Sequence, residues 1–326
     1  MTLRSATAIA HPNIAFIKYW GNRNHEFRIP SNGSISMNLD GLETKTTVRF
    51  DPGLDEDQLL INKEEANTAA TQRASTFLDL VRERAGVREF ALIESSNNFP
   101  MGSGIASSAS AFAALALAAS KAAGLELAER ELSILARRGS GSASRSVPAG
   151  FVEWQSGSTD ADSFAESMAP PEHWNLVDCV TVVDEEHKLI GSSGGHQLAD
   201  TSPLQAARVE GAFARLEEVR RAILEHDFQL FSSIVEADSL LMHAVMMTSE
   251  PSLIYWSPAS VRVLKACQSW RNEGFSLAST MDAGPNVHVI CPAGQEQELF
   301  SLLKRTEGVK RVLVAGVGGA ARLLED

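Results

Sequence analysis

His11-Pro-Asn-Ile-Ala-Phe-Ile-Lys-Tyr-Trp-Gly-Asn-Arg23 decides the reading of this chain, because it gathers Asn13, Lys18, Tyr19 and Arg23 on one short, largely apolar stretch. A lysine between Ile17 and Tyr19 either snorkels from a strand edge or stands beside a cleft, and the stretch alone does not choose. Further segments add to it. Pro100-Met-Gly-Ser-Gly-Ile-Ala-Ser-Ser-Ala109 is a glycine-rich turn running into an alanine-rich segment. Such a turn points successive backbone N–H groups, and the positive end of the helix behind it, at phosphate oxygens. It is not a Walker loop, since no Gly-Lys-Ser/Thr follows. Met281-Asp-Ala-Gly-Pro-Asn286 sets an acidic residue on a tight turn after small and apolar residues, and Gly139-Ser-Gly-Ser-Ala-Ser-Arg145 ends in a permanent cation able to grip an anion bidentately. A phosphate cradle, cationic anchors and a carboxylate base make an inventory for phosphoryl transfer onto a small anionic molecule.

Bulk properties agree. At 326 residues the chain exceeds the size at which one core stops growing, so two domains sharing a cleft are expected. A net charge of −12 argues against nucleic acid or an anionic membrane as partner, since those need clustered Lys and Arg. No signal peptide is expected at the N-terminus, and no apolar run is read as approaching the roughly 20 residues that span a bilayer. Cys179, Cys267 and Cys291 are far apart in apolar surroundings and read as buried free thiols, which with the rest predicts a cytoplasmic protein.

Strand patterns cover Ala6 to Ala10, Ser34 to Leu39, Thr44 to Phe50 and Phe90 to Ile93, with a helix near 66–85 that carries Phe77, Leu78 and Val81 at helical spacing. Ile105 to Gly124 is almost uncharged and reads as a buried helix capped by Gly124; Ala128 to Arg138 is a second. A strand returns at Ala149 to Trp154, and Ser156 to Pro171 reads as a long surface connection, which places the domain boundary between 1–170 and 171–326. Beyond it the patterns predict strands at Leu176 to Val183, Phe275 to Met281, Val287 to Cys291 and Lys310 to Ala315, with helices between Ser202 and Met246 and over Pro258 to Arg271. The fold class is α+β in both halves. Arg137 and Arg138 read as surface residues closing a helix, while Arg145 stands apart. The stripe Met242, Met246, Met247 reads as core, and His187, His196 and His243 lack partners at metal-ligand spacing.

Taken together, the segments resemble the GHMP superfamily of small-molecule kinases and, within it, the mevalonate diphosphate decarboxylase family. The resemblance rests on Asn13-Ile-Ala with Lys18-Tyr-Trp-Gly21, Asn32-Gly-Ser-Ile-Ser36, Asn97-Asn-Phe-Pro100, Ala106-Ser-Ser-Ala109, Ser140-Gly-Ser-Ala with Arg145, and Asp282-Ala-Gly-Pro-Asn286. It implies a two-domain GHMP fold, an N-terminal nucleotide-binding domain and a C-terminal domain with the active site in the cleft between them. It further implies ATP as co-substrate, Mg2+, a mevalonate phosphate as substrate and a homodimer. The implied chemistry is phosphorylation of the tertiary 3-hydroxyl, then departure of that phosphate as the carboxylate leaves as carbon dioxide. On the family pattern Asp282 faces the 3-hydroxyl, Arg145 engages the substrate carboxylate, and Lys18 lies beside the reacting centre. Tyr19, Arg73, Ser140 and Ser142 would hold the 5-phosphate. Met101, Gly102, Ser103, Gly104, Ser107 and Ser108 would cradle the ATP phosphates, with Ser107 or Ser108 near the metal; Ser96, Asn97, Lys188 and Ser192 would complete the nucleotide side.

One position departs from the pattern. The diphosphate decarboxylases usually read Lys-Tyr-Trp-Gly-Lys, the second lysine helping to hold the diphosphate, whereas Asn22 stands here. Losing one charge-assisted contact costs about 1.5 to 3 kcal/mol against a diphosphate. The departure favours the related mevalonate 5-phosphate decarboxylases, with the diphosphate reading kept open because Arg23 could replace the lost cation. A kinase that stops at phosphorylation is disfavoured by the pairing of Asp282 with Arg145. A catalytically inactive scaffold is disfavoured by the presence of Lys18, Ser107, Arg145 and Asp282.

Overall fold

The structure, a computed structural model, describes residues 4–100, 107–185 and 191–324. The first half runs β1 (Arg4–Ala10), β2 (Asn13–Ile17), β3 (Asn22–Asn24), β4 (Ile29–Pro30), β5 (Ser34–Asn38), β6 (Thr44–Asp51), β7 (Gln58–Ile61), β8 (Glu64–Glu65), α1 (Thr68–Ala85), β9 (Phe90–Asn97), α2 (Ser107–Ala122), α3 (Glu129–Gly139), β10 (Phe151–Gln155) and β11 (Phe164–Ala169). The second continues with β12 (Leu176–Val182), α4 (Ser192–Leu198), α5 (Gln205–Glu210), α6 (Ala212–Glu225), α7 (Phe228–Thr248), α8 (Pro258–Asn272), β13 (Ala278–Thr280), β14 (Val287–Pro292), α9 (Glu296–Arg305), β15 (Arg311–Ala315) and β16 (Arg322–Leu324). Among the described residues the strands form a six-stranded sheet β16-β1-β6-β9-β7-β8, the four-stranded sheets β11-β10-β5-β2 and β13-β14-β12-β15, and a ribbon of β3 and β4.

Small side chains set the packing of the first sheet. Ala109, Ala113, Ala116 and Ala119 are fully buried, and they let α2 lie close against β1 and β6. The second core joins the two halves: Ile14, Phe16 and Ile35 from β2 and β5 pack with Leu216 of α6, Phe231 of α7, and Val180 and Ile290 of the third sheet. Phe16 meets Phe231 edge-on at 4.8 Å. Burial of such aromatic and aliphatic side chains is worth about 1.5–3 kcal/mol each, so β2, the strand that leads into Lys18, is fixed from both sides. The C-terminal strand does not stay with the second half. β16 pairs antiparallel with β1, Thr7 opposite Leu324, so residues beyond Ala315 return to the N-terminal sheet.

Other differences have physical reasons. The connection expected over Ser156 to Pro171 contains β11, an edge strand paired to β10. Only Ala165 and Ala169 are buried in it, with Phe164 and Met168 half-buried, too thin a pattern to read alone. Arg137, expected on the surface, is fully buried, where it donates to the backbone oxygens of Ser163 and Asp160 and pairs with the Asp160 carboxylate. Met242 and Met246 are buried as expected, but Met247 is 38 % exposed. Cys179, Cys267 and Cys291 are buried and free. α7 is long and apolar enough, by length and composition alone, to cross a bilayer. Here it is a core helix that carries Asp238 toward β2.

Candidate active site

The end of β2 is held from below by charge. Asp238 of α7, fully buried, accepts from the Lys18 backbone N–H at 2.6 Å and from Arg215 Nε at 2.7 Å. Arg208 donates to the carbonyl oxygen of Lys18 at 2.6 Å, and Asn32 donates to the same oxygen at 3.0 Å. Gln205 donates to the Trp20 carbonyl at 2.9 Å. The chain then turns at Gly21 with φ +91°, where a Cβ would meet Gln205 Nε2 at 2.5 Å. With its backbone clamped, Lys18 projects its ammonium to Asp282 Oδ1 at 2.7 Å, the lysine side chain 1 % and the aspartate 23 % exposed. The strand-edge alternative for Lys18 is excluded.

Asp282 follows β13 in a turn that closes with a Gly284 N–H bond to its own carbonyl at 2.7 Å. Burial alone would raise its carboxyl, but Lys18, His288 and Arg145 outweigh burial and hold it below the ordinary carboxylate value. It is an anion at neutral pH. Behind it, on β12 and β14, His288 Nδ1 lies 2.6 Å from Asp178 Oδ2, both fully buried. Burial opposes the imidazolium, yet Asp178 and then Asp282 raise His288 above its ordinary value.

Arg145 sits across the cleft, 3 % exposed, with Nε on Asn13 Oδ1 at 3.2 Å and Nη1 on Ser34 Oγ at 2.6 Å. Asn13 is itself fixed through Ser146 Oγ at 2.8 Å. Burial pushes the Arg145 guanidinium down to about 10, Asp282 opposing, which leaves it cationic. Tyr19 packs edge-on against Trp154 at 4.7 Å and stacks on His196 at 4.1 Å. Its hydroxyl donates to Asn22 Oδ1 at 2.5 Å, and burial pushes that phenol up to about 12.

One cleft is thus lined by Lys18, Tyr19, Ser108, Ser140, Ser142, Arg145, Ser192 and Asp282, joined by Trp20, Arg28, His196 and Met242. The sequence reading brought the first group forward; of the second it held Trp20 only as part of the Lys18-Tyr-Trp-Gly21 segment and read Met242 as core. Arg28 lay in an unremarkable polar loop, and His196 was weighed only as a metal ligand. The His288–Asp178 pair was missed too, since its residues are far apart in sequence and meet only across strands.

Beside the cleft is a more apolar cavity of about 350 Å³ lined by Ser95, Asn97, Ser107, Ser108, Phe112 and Arg73. Ser108 borders both spaces, its Oγ 3.2 Å from Ser140 Oγ. Arg73 therefore stands on the cavity side, over Phe112 and donating to the Gly139 carbonyl at 2.8 Å. Burial, with Arg28 nearby, lowers it to about 10. Ser192, expected on the nucleotide side, faces the cleft with Lys18. Strand alternation turns Ser95 and Asn97 into the cavity and leaves Ser96 exposed on the other face. Asn22 is buried against Tyr19 and does not line the cleft, and Arg23 turns away, donating to the Pro30 carbonyl at 3.1 Å and to the Gly157 carbonyl. Met101, Gly102, Ser103, Gly104 and Lys188 lie outside the described residues.

A carboxylate anion between a buried ammonium and a guanidinium, next to serine hydroxyls and the N-terminus of α2, can accept a hydroxyl proton while phosphate is transferred. Comparisons with known proteins point the same way. A family described as the diphosphomevalonate decarboxylase-like N-terminal domain matches residues 10–165, and the mevalonate 5-diphosphate decarboxylase C-terminal domain matches 179–314. The chain is 36 % identical to a diphosphomevalonate decarboxylase of Candida albicans over 93 % of this chain and 89 % of that protein. It is 34 % identical to a phosphomevalonate decarboxylase of Haloferax volcanii over 98 % of each. A solved structure described as MDDEF in complex with MVAPP, AMPPCP and magnesium superposes with a TM-score of 0.94, at 37 % identity, over the full length of both chains.

Proposed function

Because the chain belongs to the diphosphomevalonate decarboxylase family, ATP-dependent carboxy-lyases of the mevalonate pathway, we propose that its substrate is mevalonate 5-phosphate, converted with ATP to isopentenyl phosphate, ADP, phosphate and carbon dioxide. The observation that carries the reading is the state of Asn22 and Arg23. Asn22 is spent on the Tyr19 hydroxyl, and Arg23 is bound to backbone carbonyls away from the cleft. Of the cleft-lining cations among the described residues, Lys18 is paired with Asp282 and Arg145 is assigned to the carboxylate, which leaves Arg28 for the phosphate end. One guanidinium with the hydroxyls of Ser140 and Ser142 suits a single phosphate; a second would be desolvated without a counter-charge, at a cost of several kcal/mol. The Haloferax volcanii relative, similar end to end, carries a monophosphate name.

The chemistry follows from the cleft. As the 3-hydroxyl oxygen bonds to the γ-phosphorus and the bond to ADP breaks, the hydroxyl proton passes to Asp282. A carboxylate held low by Lys18 is a weak base, so it accepts the proton only as the new bond forms, and positioning carries much of the rate. In the second step the bond from C3 to the phosphate oxygen breaks with its pair going to phosphate, while the C1–C2 pair becomes the C2–C3 double bond and carbon dioxide leaves. Positive charge grows at C3 next to Asp282, and Arg145 orients the carboxylate that departs. The nucleotide would occupy the cavity beside Ser107 and Ser108, as suits a neighbour solved with AMPPCP and magnesium. Among the described residues no group of three or more His, Cys, Asp or Glu residues is arranged to hold a metal ion. A magnesium ion would then be held through the nucleotide phosphates with a Ser107 or Ser108 hydroxyl, an arrangement this small, hydrated ion favours.

The second reading, the diphosphate as substrate, is favoured by the names of most relatives and by MVAPP in that same neighbour. A coupled assay with both substrates decides, measuring carbon dioxide formed per ATP consumed. The monophosphate should have the higher kcat/KM. Equal or better use of the diphosphate would replace the proposal with the second reading.

A further inference from the structure

His196 is held in the cleft by a bond that fixes its proton. The Gly21 backbone N–H donates to His196 Nδ1 at 3.0 Å. An amide N–H only donates, so Nδ1 must present its lone pair, and the ring proton resides on Nε2. A second proton on Nδ1 would place two donors head to head. The ring is 8 % exposed, stacked on Tyr19 at 4.1 Å and tilted over Trp20 at 4.7 Å. Gly195 lets α4 come this close, since a Cβ there would meet the Trp20 ring at 2.4 Å. Among the described residues no protein group accepts from Nε2, although the ring is part of the cleft wall.

We propose that His196 is a specificity-determining residue: a neutral, orientationally locked Nε2–H donor to the 5-phosphate of the substrate, completing with Arg28, Ser140 and Ser142 a subsite for one phosphate. The inference rests on the mevalonate 5-phosphate reading above. The charges facing the ring explain why it stays neutral. Burial comes first, and Arg28, Arg208, His25 and Arg145 all oppose a positive ring, which brings it down to about 3. Among the described residues the largest influences on its charge include no carboxylate. A neutral donor makes phosphate recognition at this point independent of pH across the range where an ordinary histidine titrates. With the Tyr19 hydroxyl proton spent on Asn22, the Nε2–H is the donor without charge on this wall of the subsite, which suits the outer oxygens of a monophosphate and offers no counter-charge to a second phosphate.

The test uses the whole wild-type chain, labelled with 15N. At pH 7 the His196 ring should show a bare Nδ1 and a protonated Nε2, and should keep them down to pH 5. Titration with mevalonate 5-phosphate should shift the Nε2–H resonance downfield, whereas mevalonate without the phosphate should leave it in place. A ring that becomes charged near pH 6.5, or a resonance that ignores mevalonate 5-phosphate, overturns the proposal. In kinetics, His196→Leu should raise KM for mevalonate 5-phosphate roughly tenfold or more, the worth of one hydrogen bond to a charged group, with kcat changed less than threefold. His196→Gln, which keeps an amide donor, should recover most of the loss. If wild type prefers the diphosphate and His196→Leu raises KM for both substrates, the donor stands and the monophosphate reading falls. If the monophosphate is preferred and His196→Leu leaves its KM unchanged, the donor is overturned and the substrate reading stands.

Discussion

Replacing Asp282 with asparagine removes two things at once, and the structure gives each a size. As proton acceptor a positioned carboxylate is worth about 10²–10⁴ in rate, and loss of its charge beside the cationic C3 centre adds to that, so Asp282→Asn should lower turnover by roughly 10³ or more. The second effect is on stability. The Lys18 side chain is 1 % exposed with its ammonium 2.7 Å from Asp282. Breaking a buried pair by removing one partner costs about 3–5 kcal/mol, because the remaining charge is left uncompensated. Asp282 is 23 % exposed, so water reaches that side and the low end, about 3 kcal/mol, applies. At about 2–4 °C per kcal/mol for a chain of this class, the melting temperature should fall by roughly 6–12 °C. Adding Lys18→Met should restore most of the melting temperature, since it removes the orphaned buried ammonium, and none of the activity. Carbon dioxide release and differential scanning calorimetry on the two variants separate the effects. Turnover of Asp282→Asn within tenfold of wild type would remove Asp282 as the proton acceptor. An unchanged melting temperature would refute the argument that Lys18 is a buried charge in need of this partner.

Other expectations follow from the same geometry. Arg145→Lys should lower kcat/KM by 10² or more, because one ammonium cannot reach Asn13 and Ser34 and still grip a carboxylate bidentately; unchanged kinetics would mean the carboxylate is held elsewhere. Ser107→Ala should raise KM for MgATP alone, whereas Ser108→Ala, bordering both spaces, should raise KM for both substrates; the reverse ranking would mean the cavity is not the nucleotide site. Burial brings His196 to about 3 and, with Lys18 opposing its charge as well, His243 to about 4, so between these values and 6.5 the unfolded chain binds more protons and stability falls as pH drops. With both titrating, the slope of the unfolding free energy from urea titrations approaches about 2.7 kcal/mol per pH unit, and a flat profile from pH 6 to 4.5 would refute it. His288 acts in the opposite sense: its folded value is raised, so its contribution is complete below pH 6.5 and is lost as pH rises through that raised value.

What was legible in the sequence was whatever is local. Glycine and proline around Asp282, the alanine run of α2 and the serine-glycine approach to Arg145 each specify a turn or a close approach within a few residues, and the fold brings Asp282, Ser108 and Arg145 to one cleft. Periodicity failed where tertiary context carried the pattern, as in β11, whose strand character comes from pairing with β10. Charge failed in the same way at Arg137: two cations at a helix end satisfy the helix dipole on paper, and only the fold shows that one of them is buried on the backbone oxygens of Ser163 and Asp160. The least legible feature is the scaffold under Lys18, which draws on Asn32, Gln205, Arg208, Arg215 and Asp238 from separate elements. None of them carries a motif, because what they hold is the backbone of residues 18–20 and not a ligand. Residues that touch substrate must keep their chemical type at a fixed place in a turn, which leaves a pattern in the sequence. Residues that clamp a backbone need only supply a donor or a charge of the right sign from whichever element is near, which leaves none.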